Sequence, residues 1–149
     1  MKFVPLGREW EAAFKSFLRA LEKAGDDRSF KPHPFTDEGV KERVSYKGKD
    51  FYCLLIDRSV VVGYGLLRGW DEGYEVPSLG VAVLPGLQGK GHGRSIMQYL
   101  HEEAGRRGAK RIRLRVKQDN APAIRLYKDF GYDLKPDEEE GLLVGFATL

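Results

Sequence analysis

The chain has 149 residues and a formal net charge of +3, from 25 Lys+Arg against 22 Asp+Glu. That length suits one domain with its own core, and so mild a basicity argues against a dedicated nucleic-acid binder. The one cysteine, Cys53, excludes an internal disulfide and points to a reducing, cytoplasmic setting; no apolar run approaches the ~20 residues of a membrane helix, and MKFVPLGREW is too short in apolar residues for a signal peptide.

Residues 3–6 read as a short strand. Trp10, Ala13, Phe14, Phe17 and Leu21 then recur at spacings of three and four, which predicts an amphipathic helix over 8–24, closed by Gly25. DDRSFKPHPFTDEG is a loop with two prolines, and Thr36 can cap a second helix to about Tyr46. DFYCLLI and VVVGYGLLRGW flank a DRS turn and predict a hairpin. After the DEGYE turn, VPSLGVAVL is almost free of charge, which predicts a strand covered on both faces.

Pro85 and Gly86 end that strand, and a helical pattern runs from Gly93 to Arg107. RIRLRV alternates strictly, with Ile112, Leu114 and Val116 on one side and arginines on the other, so a half-buried strand is expected. Asn120 caps a last helix that carries Pro122 in its first turn. YDL and GLLVGFATL complete the chain as strands around an acidic turn. The expected class is α/β (α+β): a central, mixed, mostly antiparallel sheet of about six or seven strands, flanked by about four helices. Residues 1–149 form a single domain on this reading.

LPGLQGKGHGRS, residues 84–95, joins a strand to a helix. It fails the nucleotide-triphosphatase loop, because His92 stands where the lysine is required. It also fails the dinucleotide fingerprint, because Arg94 and Ile96 occupy the last glycine positions of the two possible frames. What remains is Q-x-x-G-x-G, from Gln88, Gly91 and Gly93. Glycines before a helix N-terminus turn successive N–H groups toward one ligand, and the helix dipole favours an anion there. Lys90, His92 and Arg94 add side-chain charge. The plain alternative is a glycine-rich turn that binds nothing.

About thirty residues later comes VKQDNAPAIRLYKDFGYDL. The two segments in this order and separation resemble the GNAT superfamily of N-acetyltransferases. The resemblance runs from Ser78 to Leu134. It implies the GNAT fold and acetyl-CoA as cosubstrate, with no metal. Gln88, Gly89, Lys90, Gly91, His92, Gly93 and Arg94 would hold the pyrophosphate. Val81, Ala82 and Val83 would pair their main chain with the pantetheine arm, as in strand addition. Asn120 would contact the coenzyme near that arm. Tyr127 would face the thioester sulfur as proton donor, although Ala123, Leu126, Tyr127 and Phe130 also share one helix face and could be plain core. The implied reaction is direct transfer of acetyl to a primary amine in a ternary complex. The alternative is a non-catalytic acyl-CoA-binding sensor or regulatory subunit.

Many relatives carry a glutamate where this chain has Ser78, and some where it has Arg115. Glu75, nearest the expected cleft, is the candidate base, with a solvated turn carboxylate as its bland reading. Phe30, His33 and Phe35, between the first two helices, are acceptor-site candidates. Cys53 reads as a buried structural thiol rather than an acylated nucleophile. His33, His92 and His101 lack metal-ligand spacing. The arginines of RIRLRV have no interleaved stacking aromatics, so nucleic acid is not an expected partner. The expected partners are a small-molecule or protein amine, with no membrane, and the chain is a monomer or homodimer.

Overall fold

In the computed structural model, which describes residues 1–149, Phe14, Phe17, Leu18 and Leu21 form the buried side of helix α1 (Glu11–Ala24). Gly25 ends it in the left-handed region, as a C-terminal cap requires. The first turn predicted as helix is instead a 3-10 turn at Arg8–Trp10, and a second one follows the cap at Asp26–Arg28. Thr36 caps α2 (Asp37–Val44), with the Gly39 N–H donating to its hydroxyl at 3.1 Å.

The strands are β1 (Lys2–Pro5), β2 (Phe51–Asp57), β3 (Val60–Arg68), β4 (Ser78–Val83), β5 (Arg111–Lys117), β6 (Asp133–Pro136) and β7 (Leu142–Thr148). They form one seven-stranded open sheet in the order β1-β2-β3-β4-β5-β7-β6. Every neighbouring pair is antiparallel except β4 and β5. With α3 (His92–Arg106) and α4 (Ala121–Asp129), the count is seven strands and four α-helices, the GNAT architecture.

Alternation along the strands feeds two cores. Tyr52, Leu54 and Ile56 face α1 and α2. Cys53, Leu55, Ile112, Leu114 and Val116 face α3 and α4. The helix α3 sits very close to β3. A Cβ at Gly63 would stand 2.5 Å from Ile96 Cδ1, and one at Gly65 would stand 2.8 Å from Ile96 Cγ2. Those two glycines therefore let α3 seat against the sheet and aim its N-terminus at the end of β4.

The sheet opens at its centre. β4 and β5 pair only at Ser78 and Arg113, with the Arg113 N–H donating to the Pro77 carbonyl at 2.9 Å. Beyond that point the two strands separate. This corrects the expectation that VPSLGVAVL is covered on both faces: within β4 only Leu79 is buried, and Val81–Val83 are half-exposed. Their low charge reflects a groove wall rather than a sealed core.

Candidate functional site

The hydrogen-bond parity of β4 shows what the opening exposes. The Leu84 N–H donates to Val62 across the β3 side, and Val83 pairs with Gly63 in the same ladder. In an antiparallel ladder, alternate residues direct their main-chain groups to opposite edges. Even-numbered residues of β4 therefore face β3, and Val81 and Val83 face the split. The Val83 carbonyl accepts from Gln88 Nε2 at 3.4 Å. Val81 has no neighbouring strand to pair with, which leaves an N–H and a carbonyl open at the groove.

The glycine loop supplies the second feature. The N–H groups of Gln88, Gly89, Lys90, Gly91, His92, Gly93 and Arg94 donate to no acceptor in the protein. The next one, Ser95, donates to Gly91 as the first α3 bond. Free donors of the glycine loop and of the first turn of α3 suit an anion at the groove. Gly89 and Gly91 hold it open with φ of 79° and 90°, where a side chain would be strained. A Cβ at either would meet no protein atom within 4 Å. Their conformation, not packing, demands glycine, and the space in front of them is open. The Gln88 side chain ties the loop together: its Oε1 accepts from the Gly86 N–H at 3.0 Å.

The side chains of this loop contribute less charge than the sequence suggests. Arg94 forms an ion pair with Asp129 at 2.8 Å and lies over the Phe130 ring. Lys90 and His92 do not line the groove, which Gln88, Gly89, Gly91, Gly93 and Arg94 do. Asn120 accepts from the Ala123 N–H at 3.3 Å through Oδ1. That cap leaves its amide N–H2 free at the groove.

Tyr127, on α4, stands where the two mouths of the groove meet. One mouth, about 460 Å³, is lined by Val81–Val83, the glycine loop and the start of α4. The other, about 350 Å³, is lined by Asp26, Ser29 and Phe30, by β4, and by Arg115–Lys117 of β5. Val81, Ala82, Val83, Gln88, Asn120, Pro122 and Tyr127 line both. Tyr127 is 8 % exposed. Every buried side-chain polar atom in the protein has a partner; the Tyr127 hydroxyl has none, so it is open to the groove. Burial pushes its pKa up to about 12.

Three sequence-based candidates lie elsewhere. Glu75 is solvent-exposed and lines a separate hollow with Trp70, Tyr74 and the Arg107–Arg111 segment after α3. It lies in the bend before β4 and lines neither mouth of the groove. Glu75 is therefore not placed to act on an amine beside Tyr127. His33 packs against Phe14, Phe35 and Tyr64, and its Nε2 bonds the Tyr64 hydroxyl at 2.9 Å. Phe35 is 5 % exposed in the same core. Both belong to the α1/α2 core because the loop turns inward after Pro32. Of the aromatic acceptor candidates Phe30, His33 and Phe35, Phe30 alone lines the groove.

Asp26, Ser29 and Lys117 line the groove and were not marked by sequence reasoning. Asp26 and Ser29 follow immediately on the Gly25 cap, at the start of the loop that carries Phe30, which is the only signal that could have found them. Ser78 accepts weakly from Arg113 Nη1 at 3.4 Å. Arg115 donates to Asp137 through Nη2 at 2.6 Å and Nε at 2.9 Å. Neither residue replaces a carboxylate. Cys53 is buried in β2 with its thiol pushed up to about 12 by desolvation, so it is not a poised nucleophile.

An anion cradle, an unpaired strand edge and an open tyrosine hydroxyl in one two-mouthed groove define a site for an extended ligand with an anionic head. The chain belongs to the acetyltransferase (GNAT) family, whose profile matches residues 10–132. Streptothricin acetyltransferase of Streptomyces lavendulae is 38 % identical over 63 residues, which span 42 % of this chain and 32 % of that protein. The [ribosomal protein bS18]-alanine N-acetyltransferase of Escherichia coli strain K12 is 36 % identical over 59 residues, 40 % of each chain. The chain thus spans well under half the length of these relatives. The GNAT domain of S. lividans PAT has the same fold, with a TM-score of 0.83 at 16 % identity, over 99 % of this chain and 89 % of that one. No helix is long and apolar enough to cross a membrane.

Proposed function

We propose that this chain is a single-domain acyltransferase that moves acetyl from acetyl-CoA to a primary amine by direct transfer in a ternary complex in the cytoplasm. The observation that carries the reading is the unpartnered Tyr127 hydroxyl at the junction of the two mouths, one of which leads to the free N–H donors of the glycine loop.

Acetyl-CoA, when bound, supplies a thioester carbonyl and a sulfur leaving group. The residues fit it. The Gln88–Arg94 amides suit the pyrophosphate, and the free N–H and carbonyl of Val81 suit the amide-bearing arm. The Asn120 amide nitrogen is available to the same arm. A backbone N–H along the open edge of β4 would stabilise negative charge on the carbonyl oxygen. The Tyr127 hydroxyl donates its proton to the departing sulfur and recovers one from the acylated amine through solvent. An ordinary thiol has a pKa of about 8.5 and an ordinary tyrosine about 10. Burial raises Tyr127 above that value, and the same desolvation disfavours a free thiolate. The proton therefore moves as the sulfur leaves, rather than after it. Holding both reactants in one groove supplies the proximity term.

Thiol release from acetyl-CoA with a panel of primary amines tests this reading. Amine-dependent release supports it. Coenzyme binding with no release for any amine would instead identify a sensor.

A further inference from the structure

The acceptor mouth carries three charged side chains, Asp26, Arg115 and Lys117. Arg115 is already neutralised by Asp137 at 2.6 Å and by Glu139 at 3.6 Å. Asp26 and Lys117 take part in none of the protein's ion pairs. Neither side chain makes a hydrogen bond to the protein, and both are half-buried. Two opposite charges are thus held unpaired in one cavity, each partly stripped of water.

They come from different walls. Asp26 lies in the 3-10 turn after α1, and Lys117 ends β5. Ile112, Leu114 and Val116 point into the α3/α4 core, so Lys117 alternates onto the α1/α2 side with Arg115. Between these walls the Phe30 ring lies against β4, where a Cβ at Gly80 would stand 3.4 Å from Phe30 Cε1. That ring makes the mouth narrow and partly apolar. A second cation beside the unpaired Lys117 would be repelled, so a polyamine fits poorly. A molecule with one ammonium, a short aliphatic body and one carboxylate matches all three features.

We infer that the acceptor is a small zwitterionic amine, a free amino acid in chemical class, with its ammonium at Asp26, its carbon chain on Phe30 and its carboxylate at Lys117. This rests on the acetyltransferase reading and names the acceptor for that same groove.

The test measures kcat/KM with acetyl-CoA for pairs that differ only by a carboxylate: L-norleucine against pentylamine, and L-alanine against ethylamine. An alanyl peptide, with its carboxylate farther away, is the third arm. The expected result is at least a tenfold preference for the free amino acids. Lys117→Met abolishes that preference, and Lys117→Glu turns it toward the amine that lacks a carboxylate. Asp26→Asn raises the acceptor KM for both members of each pair. Lys117→Gln replaces the methionine variant if thermal unfolding shows that it does not fold. Equal rates within each pair, a preference that survives Lys117→Met, or a better peptide than free amino acid would overturn the inference and leave the acetyltransferase reading standing. Coenzyme binding without release for any amine would overturn both.

Discussion

The two mouths of the groove are built by different means. The anion-holding wall of the donor mouth is one continuous stretch, the end of β4, the glycine loop and the first turn of α3, with α4 closing the other side. Its ligand-facing groups are backbone amides, fixed by local φ angles. The acceptor mouth is assembled from the turn after α1, from β4, from β5 and from α4, and its ligand-facing groups are side chains. Backbone recognition tolerates almost any sequence that can adopt the turn. Side-chain recognition changes with single substitutions. The donor side can therefore stay constant while the acceptor side changes its specificity.

Substitutions can break this contrast, and the largest effect belongs to the loop. Gly91 sits at φ 90° as the residue before α3. Gly91→Val adds strain of ~1–2 kcal/mol in the left-handed region and displaces donors worth ~1.5–3 kcal/mol each to a charged group. The KM for acetyl-CoA should rise roughly 100-fold or more by the usual tenfold per 1.4 kcal/mol, with the acceptor KM little changed. Equal rises in both constants would show that the two mouths are not separable.

Tyr127 belongs to both mouths, and its removal should be felt in turnover. Tyr127→Phe should lower kcat at least ~10-fold, below the usual range for a lost general acid because water can substitute in part. Coenzyme affinity, measured by calorimetry, should hardly move. Unchanged steady-state kinetics would assign Tyr127 to packing alone.

Phe30→Ala should act on the acceptor mouth only. We expect an increase of several-fold in acceptor KM, consistent with a loss of ~1–2 kcal/mol of apolar contact, and an unchanged coenzyme KM. Glu75→Gln, outside both mouths, should leave the pH–rate profile unmoved; a shifted profile would return Glu75 to the mechanism.

The pH profile itself sharpens the comparison. With Tyr127 raised to about 12 by burial, it stays protonated throughout the working range. The rate should rise with pH as the acceptor amine loses its proton, with no falling limb below about pH 10, the ordinary tyrosine value. A falling limb near pH 8 would mean that another acid serves the sulfur.

The smallest effect is on stability. Burial lowers the pKa of His33 and of His101. Their folded forms prefer to be neutral, so this contribution is fully present above the unfolded value of about 6.5 and is lost as pH falls from there through the lowered folded value. Urea midpoints should drop between pH 7 and pH 5, and His33→Gln should flatten the slope. An unaltered slope would remove His33 from the account.

The contrast between the mouths also explains what could be read from the chain. Gln88–Arg94 were legible because consecutive glycines, a preceding strand and a following helix are all local. The order and type of the elements were legible for the same reason: helix period, strand alternation and caps at Gly25, Thr36 and Asn120 are neighbours in sequence. Tyr127 was ambiguous, because α4 covers both the core and the split with one face, and periodicity cannot separate them. Glu75 was misplaced because closeness to β4 in sequence says nothing about which end of the strand borders the groove. His33 and Phe35 read as acceptor wall beside Phe30, yet all three pack around the α1/α2 core and only Phe30 also lines the groove.

By itself, then, the sequence determined the elements and the glycine loop that joins β4 to α3, since each depends on residues a few positions apart. Only the tertiary structure decided where β4 and β5 part, which edge of β4 is left unpaired, and that Asp26 and Lys117, ninety-one positions apart in the chain, face one cavity. The physical reason is that hydrogen-bond parity and side-chain alternation are set within a strand, whereas the distance between two strands is set by what packs between and behind them.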